Sequence, residues 1–142
     1  MTDRVVAIAR MWIGTPYMHQ ASVQGVGADC LGLIRGIWRQ LYGAEPETAP
    51  AYTADWGECS SHELLLQGAC RNLVRCKPDC AFAPGDVLLF RMRPMAVAKH
   101  LGVLSEIGAT RRFVHAYSGH GVVESPLSAP WQGRIAGRFR FP

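Results

Sequence analysis

One thiol and a set of imidazoles hold most of the chemistry this chain offers. Of its five cysteines, Cys30 stands alone, and Cys59, Cys70, Cys76 and Cys80 follow as a group. Cys30 lies at the first turn of a predicted helix, behind Gly25 and Gly27 and next to Asp29. The unpaired N–H groups of a helix N-terminus carry partial positive charge, which favours thiolate over thiol. Asp29 opposes this as a neighbouring anion unless its carboxylate turns to the helix cap. The competing assignment for Cys30 is a small buried residue on an apolar helix face.

A thiolate nucleophile needs a base, and the base needs an orienting group. In His100-Leu101-Gly102-Val103-Leu104, strand alternation puts His100, Gly102 and Leu104 on one face. In Phe113-Val114-His115-Ala116-Tyr117 it puts Phe113, His115 and Tyr117 on one face. Two neighbouring strands would then set two imidazoles side by side, toward the helix that carries Cys30. His62 and His120 read as exposed helix and turn residues, and His19 as a loop residue able to line a cleft. Spacing alone does not choose among the five.

The elements that must hold these groups are legible from period and punctuation. A first helix is expected over 4–13, after Thr2 and Asp3 as N-cap residues, with Val5, Ile8 and Trp12 inward. A second runs from Cys30 to Tyr42, capped by Asp29 and stopped by Gly43. Its apolar face is Cys30, Leu33, Ile34, Ile37 and Leu41. Residues 44–57 read as a surface loop. Ser60-x-x-Glu63 is a capping box that opens a third helix ending near Arg75. Strands are expected near 87–92, 100–106, 111–117, 120–124 and 134–141. Helices first and strands second give an α+β class in a single domain, residues 1–142.

Composition narrows the function classes. The chain has 142 residues, 49% hydrophobic and 18% charged, which excludes a disordered tail. No apolar run is long enough for a membrane span, and no secretory signal is expected at the start. The net charge is +4, and all basic residues except Lys77 and Lys99 are Arg. Arg111, Arg112, Arg134, Arg138 and Arg140 cluster late in the chain, as ion pairs on a strand face or as a dock for an acidic partner. No basic run with interleaved aromatics is present, so nucleic acid is not expected as a partner. Cys59, Cys70, Cys76 and Cys80 lack a CxxC pair, and Cys70 shares a helix face with Leu66 and Leu73. They are expected to be ordinary small residues rather than ligands to zinc or an iron–sulfur cluster.

Together, Gly14-Thr15-Pro16-Tyr17, Asp29-Cys30-Leu31-Gly32-Leu33, Pro84-Gly85-Asp86-Val87, His100-Leu101-Gly102-Val103 and His115-Ala116 resemble the NlpC/P60 family, in family order. Residues 16–22, the run from Cys30 to Tyr42, and Pro50-Ala51-Tyr52 with Asp55-Trp56 look closer to its phage-type branch. That branch includes cell-wall peptidases encoded with phage and gene-transfer-agent tail genes. The resemblance implies a papain-like α+β fold with N-terminal helices packed on an antiparallel sheet. It implies a cysteine peptidase that needs no cofactor and cuts peptidoglycan stem peptides, between D-glutamate and diaminopimelate in many members. It makes Cys30 the nucleophile, His100 the general base and His115 the residue that orients the base. It places the Tyr17 hydroxyl near the oxyanion and assigns Asp29 to the stem peptide's amino group. The chain departs from the family where many relatives carry Trp-Gly-Gly and this one has His19-Gln20-Ala21.

A wall hydrolase without an export signal needs a carrier. The expectation is therefore a protein made in the cytoplasm and built into the distal tail of a phage or gene transfer agent. There it would dock to hub or fibre-base proteins through its surface Arg and the 44–57 loop. Two other readings stand beside this one. One is a structural tail adaptor or plug whose catalytic site is unused. The other is an amidase or acyltransferase that turns the same Cys/His set on another amide or ester.

Overall fold

A computed structural model describes residues 1–54, 56 and 62–142. Along the chain come α1 (Thr2–Met11), β1 (Ser22–Val23), β2 (Gly27–Ala28), α2 (Cys30–Tyr42) and α3 (Leu64–Asn72). Then follow β3 (Val74–Arg75), β4 (Val87–Phe90), β5 (His100–Glu106), β6 (Arg112–Tyr117), β7 (Gly121–Pro126), α4 (Ala129–Gln132) and β8 (Ile135–Arg140). Strands β3 to β8 form one antiparallel sheet in the order β3-β8-β4-β5-β6-β7. The α+β architecture with helices packed on an antiparallel sheet is as expected.

Local chemistry explains most boundaries. Asp29 caps α2 by accepting the Gly32 N–H at 2.7 Å, and Gly43 ends the helix at φ +93°. The cap of α1 differs from expectation. Met1 occupies the N-cap without a side-chain bond, and Thr2 and Asp3 lie inside the helix. The capping box also differs. Glu63 is the N-cap of α3, and its carboxylate reaches away to the Ala98 N–H at 2.8 Å and to Arg91 at 2.6 Å. Ser60, Cys59 and Asp55 lie outside the described residues. Cys70 is exposed, because α3 turns Leu65 and Ala69 to the core instead.

Both faces of the sheet are covered. On one, Val87, Leu89, Leu101, Val103, Val114, Ala116 and Phe139 meet α1 and α2. On the other, Leu88, Phe90, Leu104 and Phe113 are joined by Leu127, Phe82, Ile135 and Trp131 of α4. Near-continuous burial of β4, β5 and β6 follows from this double cover. The late Arg residues serve the sheet. Buried Asp86 takes Arg138 at 3.0 Å and Arg140 at 2.8 Å, which ties β8 to the turn before β4. Arg111 lies over the Phe82 ring, and Arg112 faces Glu106 and Glu124.

Helix α2 approaches its neighbours at two glycines. A Cβ on Gly32 would sit 1.8 Å from the Ala21 carbonyl oxygen, and one on Gly36 would sit 2.0 Å from the ring of fully buried Trp12. Gly36→Ala gains helix propensity of about 1 kcal/mol. The trapped indole cannot yield, so the overpacking outweighs that gain, at roughly 1–3 kcal/mol or more. The expected outcome is a lower urea midpoint for Gly36→Ala at an unchanged slope. A midpoint at or above wild type would show that α1 and α2 can part freely.

Candidate active site

The site forms where α2 begins, β5 begins and β6 ends. A strap, residues 14–18, is stitched on both sides. Gly14 N–H donates to the Val122 carbonyl at 3.0 Å and Val122 N–H donates to Thr15 at 2.9 Å. Met18 N–H donates to Ala28 at 3.1 Å and Ala28 N–H to Pro16 at 3.0 Å. The strap thus presents Tyr17 beside the chain that enters Asp29 and Cys30. Gly121, at φ +73°, permits the approach, since a Cβ there would sit 2.6 Å from the Thr15 oxygen.

A cleft of about 420 Å³ gathers Cys30, His100, Tyr17, Asp29 and His19, together with Tyr52, Trp56, Met92, Lys99 and Tyr117. His19 therefore lines the cleft, as its loop position suggested, whereas His62 and His120 are exposed and outside it. His100 Nε2 lies 2.8 Å from His115 Nδ1. The imidazoles are neighbours as alternation required, but not on the expected face. Leu101 and Val103 face the helices, so His100 and His115 project to the opposite side, among Phe90, Phe113, Tyr117 and Trp131. Gly102 between them is needed, because a Cβ there would lie 2.7 Å from Phe113 and 3.3 Å from His115 Cβ.

Cys30 is reached from the end of the sheet. Its thiol donates to the Lys99 carbonyl at 3.7 Å. Backbone N–H groups of Leu101, Leu31 and Cys30 itself point at the sulfur and favour its anion. They do not win. Burial, followed by the Asp29 charge, pushes the thiol up to about 12. Burial and Asp29 together thus oppose the thiolate that a helix N-terminus favours. Burial, with His115 and Lys99 adding to it, holds His100 down at about 3. Burial and then His120 hold His115 at about 4. Burial first, then Cys30 and Asp29, raise Tyr17, which keeps its phenol proton and can donate it to an anion. The arrangement suits general-base attack, in which the proton leaves sulfur as sulfur meets carbon.

Asp29 is more crowded than a free substrate-binding carboxylate. It accepts from Gly32 N–H at 2.7 Å, Gln20 N–H at 2.7 Å and the Tyr52 hydroxyl at 2.5 Å. His19 Nδ1 stands 3.8 Å away. A substrate ammonium reaches it only by displacing one of these donors. Gln20 adopts φ +64°, the left-handed region that favours glycine, and its bond to Asp29 holds it there. Sequence reading missed the role of Tyr52, whose ring stacks on Trp56 at 4.1 Å and meets His19 edge-on. It also missed Ser125, 3.0 Å from His115 Nε2, and Trp131, against both imidazoles. An aromatic in a polar loop and a Ser in a strand carry no periodic signal. Among the described residues, no three His, Cys, Asp or Glu side chains converge as metal ligands.

No family model matches the chain. It is 27% identical over 139 residues to a gamma-DL-glutamyl hydrolase of Bacillus subtilis (strain 168), covering 96% of this chain and 29% of that protein. The chain thus spans less than a third of that curated relative. Three solved structures share the fold. An NlpC/P60 family protein from Bacillus cereus ATCC 10987 superposes with a TM-score of 0.68 at 20% identity, over 99% of this chain and 40% of that one. The NlpC/p60 domain of the peptidoglycan hydrolase SagA gives 0.64 at 19% identity, over 99% of both chains. An NLP/P60 family protein similar to a lipoprotein, from Staphylococcus aureus subsp. aureus Mu50, gives 0.61 at 22% identity, over 98% of this chain and 41% of that one. The fold of this chain is the NlpC/P60 fold.

The resting thiol generates one prediction. Near neutral pH, Cys30 should alkylate with iodoacetamide more slowly than exposed Cys70. Asp29→Asn, which removes the charge and one of the two acceptor oxygens, should speed Cys30 by roughly threefold to tenfold in a protein shown to be folded, on the scale of up to one pKa unit. Peptide mass spectrometry reads both. Cys30 labelling first in the wild type would mean that the sulfur is already ionised.

The buried imidazoles generate a second. The unfolded chain protonates its histidines near 6.5, whereas the fold holds His100 and His115 far lower. The unfolded state binds more protons below pH 6.5, so stability falls as pH falls through that value. The carboxylates held low by ion pairs, Glu45, Glu47 and Glu124, add to the loss only around and below their ordinary 4.5. Urea unfolding between pH 6.5 and 4.5 should therefore show a steady loss of stability that His115→Gln makes shallower. A flat profile in that window would contradict neutral, buried imidazoles.

Proposed function

We propose that this chain is a peptidoglycan-cleaving cysteine endopeptidase, with the D-glutamyl–diaminopimelate bond of the stem peptide as its target. The observation that carries the reading is that His100, which lines the cleft together with Cys30, is held from behind by His115 at 2.8 Å. The similarity to a gamma-DL-glutamyl hydrolase and to a peptidoglycan hydrolase domain supports it.

With its Nε2 committed to His115, His100 has only Nδ1 left to act as base. Cys30 swings from the Lys99 carbonyl toward that nitrogen and gives up its proton as sulfur bonds to the scissile carbonyl carbon. The oxyanion takes the Cys30 backbone N–H and the Tyr17 hydroxyl. The imidazolium returns the proton to the leaving amine as the C–N bond breaks. Water, deprotonated by the same nitrogen, then cleaves the thioester and restores the thiol. Asp29 receives the stem peptide's amino group once Tyr52 yields. No cofactor enters this sequence.

The proposed setting is the tail of a phage-like particle or gene transfer agent, with hub or fibre-base proteins as partners. The support is the resemblance of residues 16–22, 30–42 and 50–56 to tail-encoded peptidases. In that setting the enzyme opens the wall during infection, and washed particles contain it in a small fixed copy number. Finding it only in the soluble lysate would favour a free lysis enzyme.

Mass spectrometry of stem-peptide digests tests the chemistry. Cys30→Ala should stay folded and lose on the order of 10³–10⁶ in turnover, and His100→Ala about as much. His115→Ala should lose less, because water can partly replace an orienting group. Folded Cys30→Ala with more than a tenth of wild-type activity would remove Cys30 as nucleophile. No product from folded wild type bound in particles would leave the structural adaptor.

A further inference from the structure

The proposed mechanism needs one nitrogen, His100 Nδ1, to be free of a proton, and the two-histidine contact by itself does not ensure this. The contact between His100 Nε2 and His115 Nδ1 holds one proton, and two orders are possible. In the first, His100 Nε2–H donates to His115 Nδ1, His115 carries its own proton on Nε2, and His100 Nδ1 is bare. In the second, His115 Nδ1–H donates to His100 Nε2, His115 Nε2 is bare, and His100 Nδ1 carries a proton and cannot be a base. The chain does not end at His115. Its Nε2 lies 3.0 Å from Ser125 Oγ. Ser125 sits on β7 opposite Phe113, on the sheet face that carries the imidazoles, and does not line the cleft.

We propose that Ser125 is a positioning residue whose oxygen accepts the His115 Nε2 proton and so makes available the order of the His100–His115 pair that leaves His100 Nδ1 a base. The inference rests on the reading of Cys30 and His100 as the catalytic pair. In that order, both donated protons run outward from the cleft, from His100 to His115 and from His115 to the Ser125 oxygen. The hydroxyl can also donate to a bare Nε2, so it permits this order, whereas an alanine methyl removes the acceptor the order needs. A buried N–H without an acceptor is costlier than a bare lone pair without a donor. The rings of Phe113, Tyr117 and Trp131 pack against His115, and among the described residues Ser125 Oγ is the hydrogen-bond partner of its Nε2. With alanine at position 125, the cheaper arrangement turns a bare Nε2 toward the methyl group. The proton moves to His115 Nδ1, and the His100 tautomer reverses with it. Threonine keeps the hydroxyl and therefore the order.

The test is nitrogen NMR of ring-labelled histidine in the full chain at pH 7, where both rings are neutral. Ring-nitrogen shifts report which nitrogen carries the proton, and they do so without substrate. Wild type and Ser125→Thr should show protonated Nε2 and bare Nδ1 on both His100 and His115. Ser125→Ala should show both rings moved toward protonated Nδ1. In stem-peptide hydrolysis, Ser125→Ala should lower kcat roughly 10- to 100-fold, within the general-base contribution, with KM unchanged and Ser125→Thr near wild type. A ring-nitrogen pattern unchanged in folded Ser125→Ala, or a protonated His100 Nδ1 in the wild type, would overturn the proposal. Hydrolysis that survives Cys30→Ala would instead overturn the catalytic reading while leaving the NMR result standing, so the two failures are distinct.

Discussion

The Asp29 carboxylate is the point at which three separate stretches of chain are held together. One oxygen caps α2, and the other takes the Gln20 amide and the Tyr52 hydroxyl. Helix start, cleft wall and long loop are thereby fixed to the residue next to Cys30. The same anion works against a Cys30 thiolate, as it raises the thiol that burial has already raised. The carboxylate builds the site and quiets the sulfur in it.

The sheet holds two imidazoles in a dry environment. His100 and His115 share their face with Phe90, Phe113 and Trp131 rather than with the helices. Burial lowers both imidazoles and keeps each ring neutral well into acid. Gly102 makes the arrangement possible, since any side chain there would strike Phe113 and the base of His115. The His-x-Gly pattern is thus a packing requirement as well as a chemical one.

Much of this was legible in the sequence. The span of α2, its Asp29 cap and its buried face follow from local spacing, and so do the strands that carry the two histidines. Alternation correctly pairs His100 with His115 on one face. It cannot say which side of the sheet that face occupies, because both sides here are apolar and no polar side marks the solvent. The sign of the Cys30 shift was also out of reach, since it depends on how deeply the sulfur lies and how near Asp29 remains. Tyr52, Ser125 and Trp131 join the site only through tertiary contacts. The short pairings β1–β2 and β3–β8 are two residues long on one side and leave no periodic trace.

Strand β8 comes after every other strand in the sequence, yet it lies inside the sheet, paired with β3 on one side and β4 on the other. Its Arg138 and Arg140 are the partners of buried Asp86, made more than fifty residues earlier. While the chain is being synthesised, β4 therefore keeps an open hydrogen-bonding edge and Asp86 an unanswered charge. Neither is satisfied until β8 clears the ribosome. The hairpins β4–β5 and β6–β7 can form as they emerge, but the sheet closes only once β8 is available. A nascent chain stalled short of β8 exposes an apolar strand edge, which is the form in which this fold is most open to chaperones and to aggregation.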